Sequence, residues 1–424
     1  MIEIFDFIEI NWWIFVFNII TTVSMFFLFK KRMEMVDVIM LFSTIFFIYF
    51  YSGLGASFQI VPIYYTFMYN VLLLMYLSAF KFSMKFKTPK PSEFSLKILF
   101  KYYKVIIYFF IILSFVNAGY PSFNIIKLIK PSSPVLNFDL TSSSSSNAFK
   151  SILYYIILIL EPFYLVSLFR YRDKPFKLFI LLFLPLYFYF SLGGYVARST
   201  LLPYLFIYFY LIYLYNPQYR NKIKYFGLIS FLPLVILAFY YSEIRIGNES
   251  SSFDPISIIG TVFIQEGVFP IYFAQIYKMN LDTQIFQFFK WLLVLPVPSF
   301  LKGDSFGLYV NQYFTELITG KNKYSEGFSI LLPGNVTESF LIFGKYLFFL
   351  LPLISGCING LIYKLFKSSQ TFIPLRIYFI FMFIPLFSRA SFNSAIPVAI
   401  NGYLIFIFFV FFKYRNYNKR IQSL

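Results

Sequence analysis

Four side chains could do chemistry together. Arg198, Arg245, Arg389 and Glu338 stand at or between the ends of long apolar runs, away from the short lysine-rich turns. Arginine stays charged and presents a planar fork of N–H donors that fits phosphate oxygens, so three of them at one membrane face suit a pyrophosphate headgroup. A sugar held through pyrophosphate leaves readily once that charge is stabilised. A carboxylate near the surface, above all Glu338, could then take the proton of an attacking hydroxyl. Each residue also has a plainer reading. Arg198 suits a snorkelling position at an outer turn, Arg245 a pairing with Glu243 or Glu249, and Arg389 an ordinary outer-face charge. Glu338 suits a helix start, favoured by the macrodipole and capped by Asn335 or Thr337.

Missing devices narrow the chemistry further. The chain has no histidine, the commonest general base and metal ligand, and a single cysteine, Cys357, which can form no intramolecular disulfide. There is no glycine-lysine phosphate loop, no aspartate pair at metal-ligand spacing and no serine-nucleophile elbow. Nucleotide hydrolysis, metal-dependent sugar transfer and histidine-based acyl transfer are disfavoured, and neither a metal nor a cofactor is expected.

The elements that must carry these residues are membrane helices. Of the 424 residues, 59% are hydrophobic, 24% aromatic and 13% charged, against about 25% charged in soluble domains. Mean hydropathy is +0.72. Apolar runs of about 17 to 25 residues fit a hydrocarbon layer about 30 Å thick, and they lack the alternation of barrel strands. The expected fold is all-α, a polytopic transmembrane helix bundle forming one membrane domain over residues 1–424. The net charge of +18 invites a nucleic-acid reading, but its placement argues otherwise. Lysine and arginine cluster at 30–32, 81–104, 170–177, 220–224, 364–367 and 413–420, at alternate ends of the runs, which is the positive-inside pattern. The partner implied is a lipid bilayer rather than nucleic acid.

Taken in order, runs fall at about 12–29, 36–51, 62–80, 105–117, 151–168, 176–190, 200–215, 225–241, 338–363, 372–386 and 397–412. This predicts eleven crossings, amino terminus outside and carboxyl terminus inside. The acidic start (Glu3, Asp6, Glu9) is unlike a signal peptide, so the first run reads as a retained anchor. A long external loop spans 243–337. Its apolar stretches 256–277 and 286–300, interrupted by Gln265, Glu266, Gln275 and Lys290, read as partly inserted or surface-lying helices, and would raise the count to thirteen if they crossed. The serine-rich stretch 141–146 reads as a solvated linker. Glu161, followed by Pro162, is a carboxylate within a run and thus a functional candidate, although nearby Arg170 and the inner surface favour a paired or snorkelled structural role.

At this point a family resemblance emerges. Gly193-Gly194-Tyr195-Val196-Ala197-Arg198-Ser199 precedes an apolar run. A long external loop then leads to Pro333-Gly334-Asn335-Val336-Thr337-Glu338-Ser339-Phe340-Leu341-Ile342-Phe343-Gly344 at the start of the next. Together with Leu295-Pro296-Val297-Pro298-Ser299-Phe300-Leu301-Lys302 and Arg389 between the last two runs, this resembles the bacterial oligosaccharide repeat-unit (Wzy-type, O-antigen or capsule) polymerase family, over roughly residues 180–400. The resemblance implies a metal-independent glycosyltransferase of the cytoplasmic (inner) membrane. It would join undecaprenyl-pyrophosphate-linked oligosaccharide units at the outer face, beside a flippase and a chain-length regulator. It maps headgroup-binding arginines onto Arg198, Arg245 and Arg389, and the acidic loop residue onto Glu338. The family's first arginine is often followed by glycine, whereas Ser199 follows here. The competing readings are a lipid-linked oligosaccharide flippase or other transporter, which would more typically show repeated halves, and an O-antigen ligase, for which a catalytic histidine is expected.

Overall fold

The computed structural model describes residues 63–119, 144–193, 198–225, 268–279, 281–295, 309–322, 330–387 and 392–412, with scattered positions between 16 and 41 and at 297 and 325. No strand occurs among the described residues, whose regular structure is helical. The first helices are α1 (Ile63–Ser83), α2 (Glu93–Lys101), α3 (Tyr103–Ala118), α4 (Ser144–Leu168), α5 (Pro175–Gly193) and α6 (Arg198–Tyr215). They are followed by α7 (Ile285–Val294), α8 (Val310–Thr319), α9 (Asn335–Leu347), α10 (Leu350–Lys367), α11 (Ile373–Tyr378) and α12 (Phe392–Val398). Three π-helical segments, Phe379–Phe383, Ala399–Tyr403 and Phe408–Phe412, continue the last two runs.

A helix that is apolar all round has no face for water, and α3 shows the consequence. Ile107 and Phe110 are buried, while Val105, Tyr108, Phe109, Ile112, Phe115 and Val116 form an exposed apolar stripe at i, i+3, i+4 spacing. Such a surface suits hydrocarbon rather than water. Ile152–Tyr171 and Leu350–Lys367 are each long and apolar enough to cross a membrane. α2 and α3, bent by 62°, make a third crossing if counted as one. By contrast α7, at ten residues, spans about 15 Å, half the hydrocarbon thickness. It buries Phe288 and Trp291 and exposes Phe286, Phe289 and Leu293.

The tightest packing joins α1 to α10. A Cβ on Gly356 would strike the Tyr76 carbonyl and one on Gly360 the Phe80 carbonyl, so only glycine permits this approach. Asn359 Nδ2 donates to Tyr76 Oη at 2.7 Å, and Lys364 Nζ donates to the Phe86 carbonyl. Because 76 meets 356, 80 meets 360 and 86 meets 364, the two helices run parallel. The lysines that close α1 and α10 therefore share one end of the bundle, here termed the basic end.

Two expectations change. The apolar run 338–363 is not one helix. Gly344 has φ 74° and ψ −172°, a conformation open to glycine, and the chain turns there before α10. Asn335 Nδ2 donates to Ser355 Oγ and Leu351 N–H donates to Ser339 Oγ, each at 3.2 Å, so α9 lies antiparallel to α10 as a hairpin. Likewise Ser144 to Ser146 of the expected linker already belong to α4, since the serines precede an apolar stretch that α3 and α5 cover.

Candidate functional site

The polar side chains of greatest interest gather where α9 begins. Asn335 through Gly344 are all buried, including Asn335, Thr337, Glu338 and Ser339. Asn335 faces Ser355, five residues into α10, so the start of α9 lies about 7–8 Å below the end of α10 remote from the lysines. The Glu338 carboxylate is 0% exposed. It accepts the backbone N–H of Phe392 on Oε2 and that of Asn393 on Oε1, the latter at 2.7 Å. These are the first two N–H groups of α12, which have no acceptor within their own helix. Glu338 is thus a helix-start carboxylate in a sense the sequence does not reveal. The helix it caps is α12, 54 residues downstream.

Polar groups from other elements complete the cluster. Asn311 of α8 donates through Nδ2 to Ser394 Oγ at 3.0 Å, and Thr315 Oγ1 ties α8 to Leu331 N–H at 2.8 Å. Asn335 Nδ2 also donates to the Phe387 carbonyl. Around Glu338, Asn311 Oδ1, Asn335 Oδ1, Thr337 Oγ1 and both Asn393 amide atoms are buried without a hydrogen-bond partner among the described residues. Buried amides rarely stay unpaired, so these atoms are free to meet water, a hydroxylated ligand or residues outside the described set. The carboxylate has about four lone-pair sites, two of which the backbone occupies.

Of the arginines, Arg198 is the first residue of α6, whose other end reaches the basic end through Asn216 and Arg172. The start of α6 is therefore at the same end of the bundle as Glu338. The Arg198 side chain, Arg245 and Arg389 lie outside the described residues, as does the whole 243–267 stretch.

Two clusters that sequence reasoning placed differently or passed over are also present. Glu161 does not pair with Arg170, whose guanidinium lies over Phe100 at 4.6 Å. Its Oε1 instead accepts Tyr378 Oη–H at 2.8 Å and Tyr204 Oη–H at 3.3 Å. Towards the basic end, Arg376 is 2% exposed and forks onto Glu34 (3.2 and 2.7 Å), while its Nε lies 3.2 Å from Asp37 Oδ2. Tyr363 Oη donates to the same Asp37 oxygen at 2.5 Å. Asp37 and Arg376 each sit inside an apolar run, and that placement was the available signal. Among the described residues no group of three or more acidic, cysteine or histidine side chains could hold a metal. No protein-family model, curated protein or solved structure matches the chain.

Proposed function

We propose that this chain is a membrane glycosyltransferase that polymerises undecaprenyl-pyrophosphate-linked oligosaccharide repeat units at the outer face of the cytoplasmic membrane, for an O-antigen or capsular polysaccharide. The observation that carries the reading is the enclosed Glu338 carboxylate among unpaired amide and hydroxyl atoms, at the end of the bundle away from the lysines. Sugar hydroxyls both donate and accept, so they complement Asn311, Asn335, Thr337 and Asn393. By the positive-inside rule the lysine-poor end faces outward, in agreement with the eleven crossings expected from the sequence.

The reaction moves one proton, breaks the anomeric C–O bond to the pyrophosphate and forms one glycosidic C–O bond. An acceptor hydroxyl attacks the anomeric carbon of the donor, its proton passes to Glu338, and the lipid pyrophosphate leaves with its charge held by arginine. Arg389 precedes Phe392 by three residues, so the backbone keeps it within about 11 Å of the residue whose N–H Glu338 holds. Arg198 begins α6 at the same end. Arg245 completes the set by the family resemblance. Donor linkage energy drives the step without nucleotide, and a flippase and a chain-length regulator are the expected partners.

Glu161, a carboxylate in the bundle interior, favours a second reading as a transporter of lipid-linked oligosaccharide. Vesicles reconstituted with the protein and given purified lipid-linked units only on the outside separate the two. A polymerase lengthens the units and a transporter does not. Alanine at Arg198, Arg245 or Arg389 is expected to stop chain growth, and long polymer from the triple variant rules the assignment out.

A further inference from the structure

Glu161 lies at the middle of the Ile152–Tyr171 span, nine residues from one end and ten from the other. That places it about 14 Å from either end of that span, near the centre of a hydrocarbon layer about 30 Å thick. Every described titratable group facing it is a phenol. Tyr154 and Tyr164 come from α4 itself, Tyr204 from α6, Tyr378 from α11 and Tyr403 from the π-helical segment Ala399–Tyr403. Tyr164 spends its hydroxyl on the Leu181 carbonyl. Tyr189 of α5 adjoins Tyr154. No lysine or arginine faces the carboxylate among the described residues. The packing is close, since a Cβ on Gly402 would come within 2.7 Å of the Leu158 carbonyl, one turn before Glu161.

Two details turn this cluster from a structural curiosity into a site. Both phenol donors, Tyr204 and Tyr378, converge on one carboxylate oxygen, Oε1. Tyr403, 2% exposed, belongs to the same cluster, and its buried hydroxyl bonds neither Glu161 nor any other described residue. A lone carboxylate without a cation in hydrocarbon is held as the neutral acid. The neutral acid needs an acceptor for its own O–H, and a phenol oxygen can accept as readily as it can donate.

We propose that Glu161 is a proton-binding site in the membrane interior. The acid form carries its proton on Oε2 while Tyr204 and Tyr378 donate to Oε1. When the proton leaves for water, these two phenol donors hold the carboxylate, and Tyr403, whose hydroxyl bonds no described residue, is the third phenol free to turn towards it. Nothing else is consumed. Tyr378 abuts the π-helical Phe379–Phe383 and Tyr403 closes another π segment. Such segments interrupt regular helix bonding and recur at functional sites.

The site is tested with the full chain in lipid vesicles, independently of any sugar transfer. Infrared difference spectra between acidic and alkaline buffer are expected to contain a protonated-carboxyl carbonyl band that Glu161→Gln removes and Glu338→Gln retains. Dicyclohexylcarbodiimide, an apolar reagent that couples to protonated carboxyl groups, is expected to label wild-type protein at Glu161, with labelling falling as pH rises. That arm needs no variant to fold. A band unchanged by Glu161→Gln together with absent labelling overturns the proposal. Protection of Glu161 by sodium at constant pH also overturns it, since the occupant would then be a metal cation.

Discussion

Replacing Glu338 by glutamine changes one oxygen for an amino group and leaves the side-chain volume nearly unaltered, so its effect isolates what the carboxylate holds. The amide oxygen can accept from Asn393 or Phe392, but not both, and the amino group then faces the remaining N–H donor to donor. Losing a charge-assisted bond costs about 1.5–3 kcal/mol, and the stranded buried N–H about 1–3 kcal/mol. The two overlap, because the stranded group is the lost bond's donor, so the expected loss is roughly 2–4 kcal/mol. The charge–dipole part adds little, about 0.3 kcal/mol, because α12 has only seven residues. Denaturant titration of the detergent-purified protein measures this. Glu338→Asp, one methylene short, keeps the charge but not both bonds, and should fall between wild type and Glu338→Gln. Thr337→Val supplies the contrast. Its hydroxyl has no partner among the described residues, so stability should be unchanged or slightly raised, while chain growth on outside-supplied units should fall if that hydroxyl meets a sugar. A Glu338→Gln protein as stable as wild type would show that the carboxylate does not hold α12, and the site built around it would lose its anchor.

Two further predictions concern the scaffold. Arg376→Met leaves the 0% exposed Asp37 carboxylate without its cation and should cost about 3–5 kcal/mol, with most of it restored by adding Asp37→Leu. The half-exposed Glu34, changed to Gln, should cost only about 0–1 kcal/mol, and a double variant no more stable than Arg376→Met alone would contradict the network. Gly360→Leu drives a side chain into the Phe80 carbonyl and Ser83 Oγ and should cost at least about 1–3 kcal/mol. A wild-type elution profile and melting curve for that variant would contradict the parallel α1–α10 contact.

Much of the helix layout was legible because hydropathy reports which segments avoid water. The expected runs 62–80, 105–117 and 176–190 correspond to Ile63–Ser83, Tyr103–Ala118 and Pro175–Gly193, and the lysine clusters locate the basic end. Direction along an apolar stretch is not encoded in hydropathy, which is why 338–363 reads as one crossing although Gly344 breaks it and Ser339 returns to Leu351. The Gly356-x-x-x-Gly360 spacing was readable as a close-packing signal. The partners of buried charges were not. Glu161 meets phenols 43 and 217 residues away, and Arg376 meets Glu34 across 342. No local period carries contacts at such separations. Arg170 looked like the partner of Glu161 because it is near in sequence, yet aromatic rings already hold its guanidinium.

The two acids, Glu338 fully buried and Glu161 partly so, differ in what surrounds them, and the difference bears on what drives the protein. Glu338 accepts the two backbone N–H groups that open α12, one on each oxygen. Glu161 accepts from phenols among the described residues, and a phenol can donate to a carboxylate or accept from a carboxylic acid. If the chain joins sugars, the donor's pyrophosphate linkage supplies the free energy, and growth on outside-supplied units should proceed with equal pH on both sides of the vesicle. If instead it carries lipid-linked units across, the proton site proposed at Glu161, midway along the Ile152–Tyr171 span, is where a gradient would be coupled, and an ionophore that equalises pH should abolish the movement. The depth of Glu161 therefore makes gradient dependence, rather than product length alone, the property that separates the two readings.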